Sequence, residues 1–349
     1  MAERVVLHVG LLKTGTSYLQ HRLTGGREHL AAGNILFPRW REQVDAVIDV
    51  LGVRRRPRPG DADGAWERMV SQLTEWPGVG LMSMEFLGPA REPQVERVVQ
   101  AFGATPVEVV VTARDLNRAM LAMWQESAKN FGTNPWPTYL TGIKENSGVG
   151  ERFWRQQRLA VIVRRWAAVV GMENVTVVTV PPPGAPPDTL WNRFCEAVRI
   201  DASLCPPVAP ANESLGAASA EVLRRVNEDL SEWELSWEGY SKTVKFGFAK
   251  QVLGVARAHE QPLGMPVPDW LLARSSSMRR NVEECGVRVI GSLDDLTPVD
   301  VAGVTPDQVP LEEQLDAAVR ALGHLLRQDL ERRLERPVEP REAPAPPVE

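Results

Sequence analysis

The chain has 349 residues, of which 43% are hydrophobic and 24% charged, with a formal net charge of −5. These are values of a folded chain with a sizeable core; they exclude wholesale disorder and a general attraction to nucleic acid, so any basic site has to be local. Cys195, Cys205 and Cys285 show no CxxC or Cys/His ligand spacing, which fits reduced thiols in a cytoplasmic protein. The N-terminal apolar run is too short for a signal peptide, and no stretch reaches the ~18 apolar residues that a membrane span needs. No internal repeat is present.

Arg4 to Leu23 reads RVVLHVGLLKTGTSYLQHRL. Val5, Val6, Leu7 and Val9 form an apolar, β-branched run suited to a parallel strand buried on both faces, ending at Gly10. From Thr14 the pattern turns helical, with Tyr18, Leu19 and Leu23 at helical spacing and Thr14 or Thr16 as cap. A strand, a tight loop and a helix in that order present backbone N–H groups at the positive end of a helix. Gly10 and Gly15 let an anion come close, Lys13 adds a full charge, and Thr14, Thr16 and Ser17 add hydroxyl donors. These features describe an anion-binding loop, set against an ordinary strand-to-helix turn with a solvated lysine. The loop of ATPases and GTPases has its lysine after the second glycine, whereas Lys13 precedes Gly15.

Gly33 to Pro38 reads as a turn and a short extended piece, and residues 54–64, RRRPRPGDADG, as an exposed, solvated loop. Helical character over 66–75 precedes a second strand at 79–84, and Glu85 follows at once. Ligands of open parallel sheets bind beyond the carboxyl ends of the strands, so Glu85 belongs at the same rim as Lys13. It serves there either as a general base or as the acid that starts a helical turn. A third strand, 107–112, leads to Arg114-Asp115 and a helix from Leu116. Arg114 reaches the same rim, where a guanidinium can hold a phosphate with two hydrogen bonds; Asp115 either pairs with it or caps the helix.

Residues 131–150, rich in Gly, Asn, Pro and Thr with aromatics between, suit an active-site loop or lid. Helical periodicity covers 153–170, with Trp154 and Trp166 in the core, and a fourth strand spans 175–180 ahead of a Pro-rich loop. Helices are expected at 190–198 and 217–230, the second capped by Ser219 or Asn212. Trp233, Trp237 and Tyr240 either line an acceptor pocket or pack, and Lys242, Lys245 and Lys250 are candidate cations for an anionic ligand. Arg274 to Ser277 precede a helical segment, 287–290 is a short strand, and Asp294-Asp295 reads as a solvated turn rather than a metal site. An amphipathic helix over 311–334 precedes a Pro-rich tail expected to be disordered.

Gly10-Leu11-Leu12-Lys13-Thr14-Gly15-Thr16-Ser17 resembles the 5′-phosphosulfate loop of sulfotransferases that use 3′-phosphoadenylyl sulfate, PAPS, with Leu12 where that family commonly has proline. Ser83-Met84-Glu85, Arg114-Asp115, the Leu-Trp-x-Arg-Phe at 190–194, the Asn-x-Ser-Leu-Gly at 212–216 and Val244-Lys245 are, in order, similar to its bacterial, actinomycete-type branch. The resemblance implies an α/β, P-loop-like three-layer fold over 1–300, with a central mostly parallel sheet flanked by helices and a helical lid or acceptor region within 131–155 and 212–260. A C-terminal helix over 301–335 and a tail over 336–349 follow. It further implies that Gly10, Lys13, Thr14, Gly15, Thr16 and Ser17 hold the phosphosulfate, that Lys13 stabilises the leaving oxygen, that Arg114 binds the 3′-phosphate, and that Glu85 takes the acceptor's proton. Ala122 stands where the family has the serine that assists this arginine, which leaves that task to Ser127 or to a lysine within 242–250. PAPS is then the co-substrate, no metal is needed, and the acceptor is a hydroxyl or amine of a small molecule or carbohydrate, with no nucleic acid partner. A noncatalytic nucleotide-binding or scaffold protein on the same fold, and a nucleotide-dependent kinase, are the alternatives. None of these motifs bears on oligomeric state.

Overall fold

The structure, a computed structural model, describes residues 1–52, 63–208 and 214–334. Most of the 54–64 loop, the Asn212 cap and the 336–349 tail lie outside the described residues. Strands β1 Arg4–His8, β2 Ile35–Leu36, β3 Val79–Ser83, β4 Val107–Ala113, β5 Val175–Thr179 and β6 Arg288–Ile290 form one sheet in the order β2-β3-β1-β4-β5-β6. Every neighbouring pair is parallel. Helices α1 Thr16–Gly25, α2 Arg27–Ala32, α3 Trp40–Leu51, α4 Ala65–Glu75 and α5 Glu92–Gln100 precede β4. After β4 come α6 Leu116–Lys129, α7 Trp136–Glu145, α8 Val149–Gln157 and α9 Leu159–Val170. Helices α10 Thr189–Val198, α11 Ala217–Leu230, α12 Trp237–Tyr240 and α13 Asp269–Glu283 follow β5, and α14 Leu311–Leu334 follows β6.

The fold is α/β, a parallel sheet with helices on both faces, as expected from the continuous apolar strands. Alternate residues of β1 serve the two layers. Val5 and Leu7 pack into a core shared with α3, α4, α5, α9 and α13, whereas Val6 joins Leu19 and Leu23 of α1 and Trp191 and Phe194 of α10. The chain divides into two compact units. The first, Met1–Ser127, Asn134–Glu213 and Leu263–Gly303, contains the whole sheet; the second comprises Ala128–Thr133, Ser214–Pro262 and Val304–Glu349.

Several local expectations change. Residues 131–150 are largely helical, forming α7 and the start of α8; Pro135 and Pro137 sit at the beginning of α7, where proline's missing N–H costs nothing. The 153–170 helix is broken at Arg158, whose ψ of 77° is not helical. Arg274 to Ser277 lie inside α13 instead of before it. Asp294 is solvated, 82% exposed beside Arg279, but Asp295 is not: it accepts hydrogen bonds from Thr179 Oγ1 at 2.6 Å and Arg193 Nη1 at 2.7 Å. These partners are distant in sequence, so local pattern could not supply them. Among the described residues no helix is long and apolar enough to cross a membrane.

In the second unit, Gly216 rather than Ser219 precedes α11, and the N–H and Oγ of Ser219 donate instead to the Glu260 carboxylate at 2.8 and 2.6 Å. Tyr240 is buried packing: its hydroxyl accepts from Phe131 N–H at 3.0 Å and bonds Asn227 Oδ1 at 2.9 Å. Trp233 and Trp237 are exposed, and Lys245 Nζ donates to Asn130 Oδ1 at 2.7 Å.

Candidate active site

Because β1 lies between β3 and β4, the loops leaving the carboxyl ends of these three strands meet at one rim. The β1 loop is held to β4, with Val9 N–H donating to Val110 O at 2.9 Å and Leu11 N–H to Thr112 O at 2.7 Å. Gly10, Lys13 and Gly15 have φ of 56°, 65° and 85°. A Cβ on Gly10 would stand 2.9 Å from Glu85 Cβ and 3.2 Å from Thr16 Oγ1, so glycine is what lets the loop close against Glu85. Lys13 has no such exemption, and its left-handed backbone costs on the order of 1–2 kcal/mol at the centre of the loop.

The loop's carbonyls face protein donors. Leu11 O accepts from Thr14 Oγ1 at 2.6 Å, Leu12 O from Gln157 Nε2 at 3.0 Å, and Lys13 O from Arg114 Nη1 at 3.3 Å. Helix α1 starts at Thr16 without a side-chain cap, and its first backbone bond runs from Leu19 N–H to Gly15 O. The N–H groups of Thr16, Ser17 and Tyr18 therefore have no acceptor inside the helix, which is the geometry that receives an anion. Two buried polar atoms at the same rim, Thr16 Oγ1 and Arg114 Nε, have no hydrogen-bond partner among the described residues. The donor set suits a phosphorylated anion. Thr14 differs from expectation: its hydroxyl is turned into the sheet toward Leu11 O and Thr112, leaving its backbone N–H as what it can offer a ligand.

Lys13 Nζ lies 3.2 Å from Glu126 Oε2 of α6. Glu85 opens a short 3₁₀ turn, Glu85–Leu87, so it starts a helical turn and faces the loop at once. It accepts from Gln20 Nε2 at 3.2 Å. Burial pushes its pKa above the ordinary carboxylate value; the Gln20 hydrogen bond and the Lys13 charge oppose this, and Glu126 reinforces it. Arg114 is pulled down to about 10, mainly by burial and then by Arg118, with Asp115 acting the other way. Asp115 caps α6, accepting from Arg118 N–H at 3.0 Å, and pairs with the Arg118 guanidinium rather than with Arg114.

Sequence reasoning missed the group that ties the rim together. His8, fully buried at the end of β1, bonds Ser83 Oγ through Nδ1 at 2.8 Å and Thr112 Oγ1 through Nε2 at 3.0 Å. Thr112 Oγ1 in turn meets Thr14 Oγ1 at 2.6 Å. One hydrogen-bonded chain thus links β3, β1 and β4 to the loop, and burial pushes the His8 pKa down to about 3, which keeps the imidazole neutral. The available signal was a lone histidine inside an otherwise apolar strand. Gln20 was missed as well; it also donates to Ser83 O at 2.8 Å and so links α1 to the strand end that carries Glu85.

The rim therefore carries Gly10, Lys13, Thr14, Gly15, Thr16 and Ser17 on the β1 loop and α1, Glu85 after β3, and Arg114 after β4. Ala122 lies on α6 and is partly exposed. Among solved structures, the chain is similar to a sulfotransferase from Alicyclobacillus acidocaldarius: 18% identity, 67% of this chain and 98% of that chain covered, and a TM-score of 0.41. No family model matches the chain, and no curated protein matches it.

Proposed function

We propose that this protein transfers a sulfuryl group from PAPS to a hydroxyl or amine of a small-molecule or carbohydrate acceptor. The observation that supports this reading is the closure of the glycine loop on Glu85, a carboxyl of raised pKa beside the Lys13 charge and an uncapped helix start. In this reading the acceptor oxygen or nitrogen attacks sulfur in line and the bond from sulfur to the bridging phosphate oxygen breaks. Glu85 takes the acceptor's proton. The loop N–H groups and Lys13 balance the charge that grows on the leaving phosphate, and Arg114 holds the 3′-phosphate. Preorganised donors of this kind do the work with no covalent intermediate, and their placement is what the His8 chain would preserve.

A nucleotide-binding protein without turnover is favoured by one specific observation, the Lys13–Glu126 pair, since a lysine held by a carboxylate is withheld from a leaving group. The two readings separate in a transfer assay. Purified protein is given PAPS labelled in its sulfuryl group and a panel of phenols, sugars and amines, with Lys13→Ala alongside. Label in an acceptor from the parent and none from the variant supports the enzyme; adenosine 3′,5′-bisphosphate binding without label transfer supports the nucleotide-binding protein.

A further inference from the structure

Helix α14 has two faces of low polarity, and only one is used within its own unit. Ala317 and Ala321 are buried with Gln314, which accepts from Arg225 of α11 at 3.0 Å and donates to Val309 O at 2.9 Å. A second stripe consists of Leu311, Leu315, Val319, Leu322, Leu326, Leu330 and Leu334, each between 56% and 83% exposed. Successive members are three or four residues apart, which puts them on one side of a helix about 36 Å long. So continuous an apolar surface is a docking surface rather than scattered exposure.

The stripe is symmetric about the point between Leu322 and Gly323. Leu311 mirrors Leu334, Leu315 mirrors Leu330, and Val319 mirrors Leu326. Of the charges, Glu312 mirrors Arg333 with opposite sign at the two ends of the stripe, while Arg320, Arg327 and Glu331 have no charged mirror. Asp316 mirrors the like-charged Asp329, beside which Arg333 lies at 2.6 Å within the same helix. A surface that matches itself after a half-turn is what an isologous two-fold contact requires. A parallel pair would instead set Glu312 against its own copy. Gly323 fits the same geometry. It is a poor helix former in mid-helix, and a Cβ there would meet nothing within 4 Å of its own chain. Its missing side chain permits close approach where two helices cross.

Other occupants fit less well. Residues 335–349 contain no Leu, Ile, Phe, Met or Trp with which to cover the stripe. An anionic bilayer calls for a basic polar face, whereas α14 has five acids and four arginines. We propose that α14 pairs antiparallel with α14 of a second copy of this chain, about a two-fold axis through Leu322 and Gly323.

The full chain is tested by sedimentation equilibrium over about 1–100 µM, the range of transient to stable pairing. The expected species has twice the 38.7 kDa chain mass. Leu322→Glu with Leu326→Glu should weaken association at least ~100-fold, two charges being forced into an apolar contact, while far-UV circular dichroism and the melting temperature of the monomer stay unchanged because both positions are exposed. Glu312→Arg should weaken it about 2- to 5-fold, and adding Arg333→Glu should restore it; a parallel pair would not respond in this way. A monomer throughout the range, a dimer indifferent to Leu322→Glu/Leu326→Glu, or a monomer that instead binds phosphatidylserine vesicles would each overturn the proposal.

Discussion

Lys13 Nζ and Glu126 Oε2 stand 3.2 Å apart, with each side chain 35% exposed. In the proposed reading, an incoming phosphosulfate has to compete with this carboxylate for the lysine. At such exposure the pair is worth only ~0.2–1 kcal/mol. Glu126→Gln is accordingly expected to tighten adenosine 3′,5′-bisphosphate binding about 1.5- to 5-fold in calorimetry; weaker binding would mean that Glu126 supports the site instead of occupying its cation.

Lys13→Ala and Glu85→Gln should fail differently. With Lys13 removed, turnover falls by ~10²–10³ because a donor to the developing charge is lost, and bisphosphate binding weakens with it. With Glu85→Gln, turnover should fall by ~10²–10⁴ while bisphosphate affinity stays within about threefold, since on the proposed reading Glu85 meets the acceptor and not the nucleotide. Equal losses of affinity in both variants would remove Glu85 from its assigned role.

The raised pKa of Glu85 has a signed consequence for pH. Activity that depends on its ionised form should decline on the acid side through a pKa above the ordinary carboxylate value of ~4.3. Stability moves the opposite way. The folded chain binds this proton more tightly than the unfolded chain, so the favourable contribution is present at low pH and is lost as pH rises through the folded pKa. Glu85→Gln should therefore raise the melting temperature at pH 7, with the gain shrinking toward pH 4. A lower melting temperature at pH 7 would contradict the assignment.

His8 behaves conversely. Its folded pKa of about 3 lies far below the ~6.5 of an exposed histidine, so the unfolded chain takes up a proton that the folded chain does not. Folding stability should fall from pH 6.5 toward 4 by about 1.4 kcal/mol per pH unit from this group alone. In His8→Gln, denaturant titrations should show that slope reduced by about one proton, together with a rise in the donor KM as the loop loses its tie to Thr112. An unchanged slope would mean that His8 titrates in the folded protein.

The sheet was legible because each parallel strand is a short apolar run and each strand end carries punctuation: Gly10 after β1, Glu85 after β3, Arg114-Asp115 after β4. Edge strand β2 showed only as a short extended piece, being two residues long. What local pattern could not reveal were the partners: His8 with Ser83 and Thr112, Asp295 with Arg193, Ser219 with Glu260. Each pair is separated by tens of residues, and only the fold brings it together. The inward turn of the Thr14 hydroxyl belongs to the same class, since spacing says that a hydroxyl is present and not which way it points. The helices of 131–150 were hidden by Gly, Pro and Asn, which signal breaks even where prolines merely start a helix.

The most direct measurement is calorimetric titration of the full chain with adenosine 3′,5′-bisphosphate, beside ATP with Mg²⁺. Micromolar binding of the bisphosphate, weakened at least ~30-fold in Arg114→Ala by loss of a guanidinium–phosphate contact, is the result predicted here. Preference for ATP with Mg²⁺, or bisphosphate binding unaffected by Arg114→Ala, would contradict it.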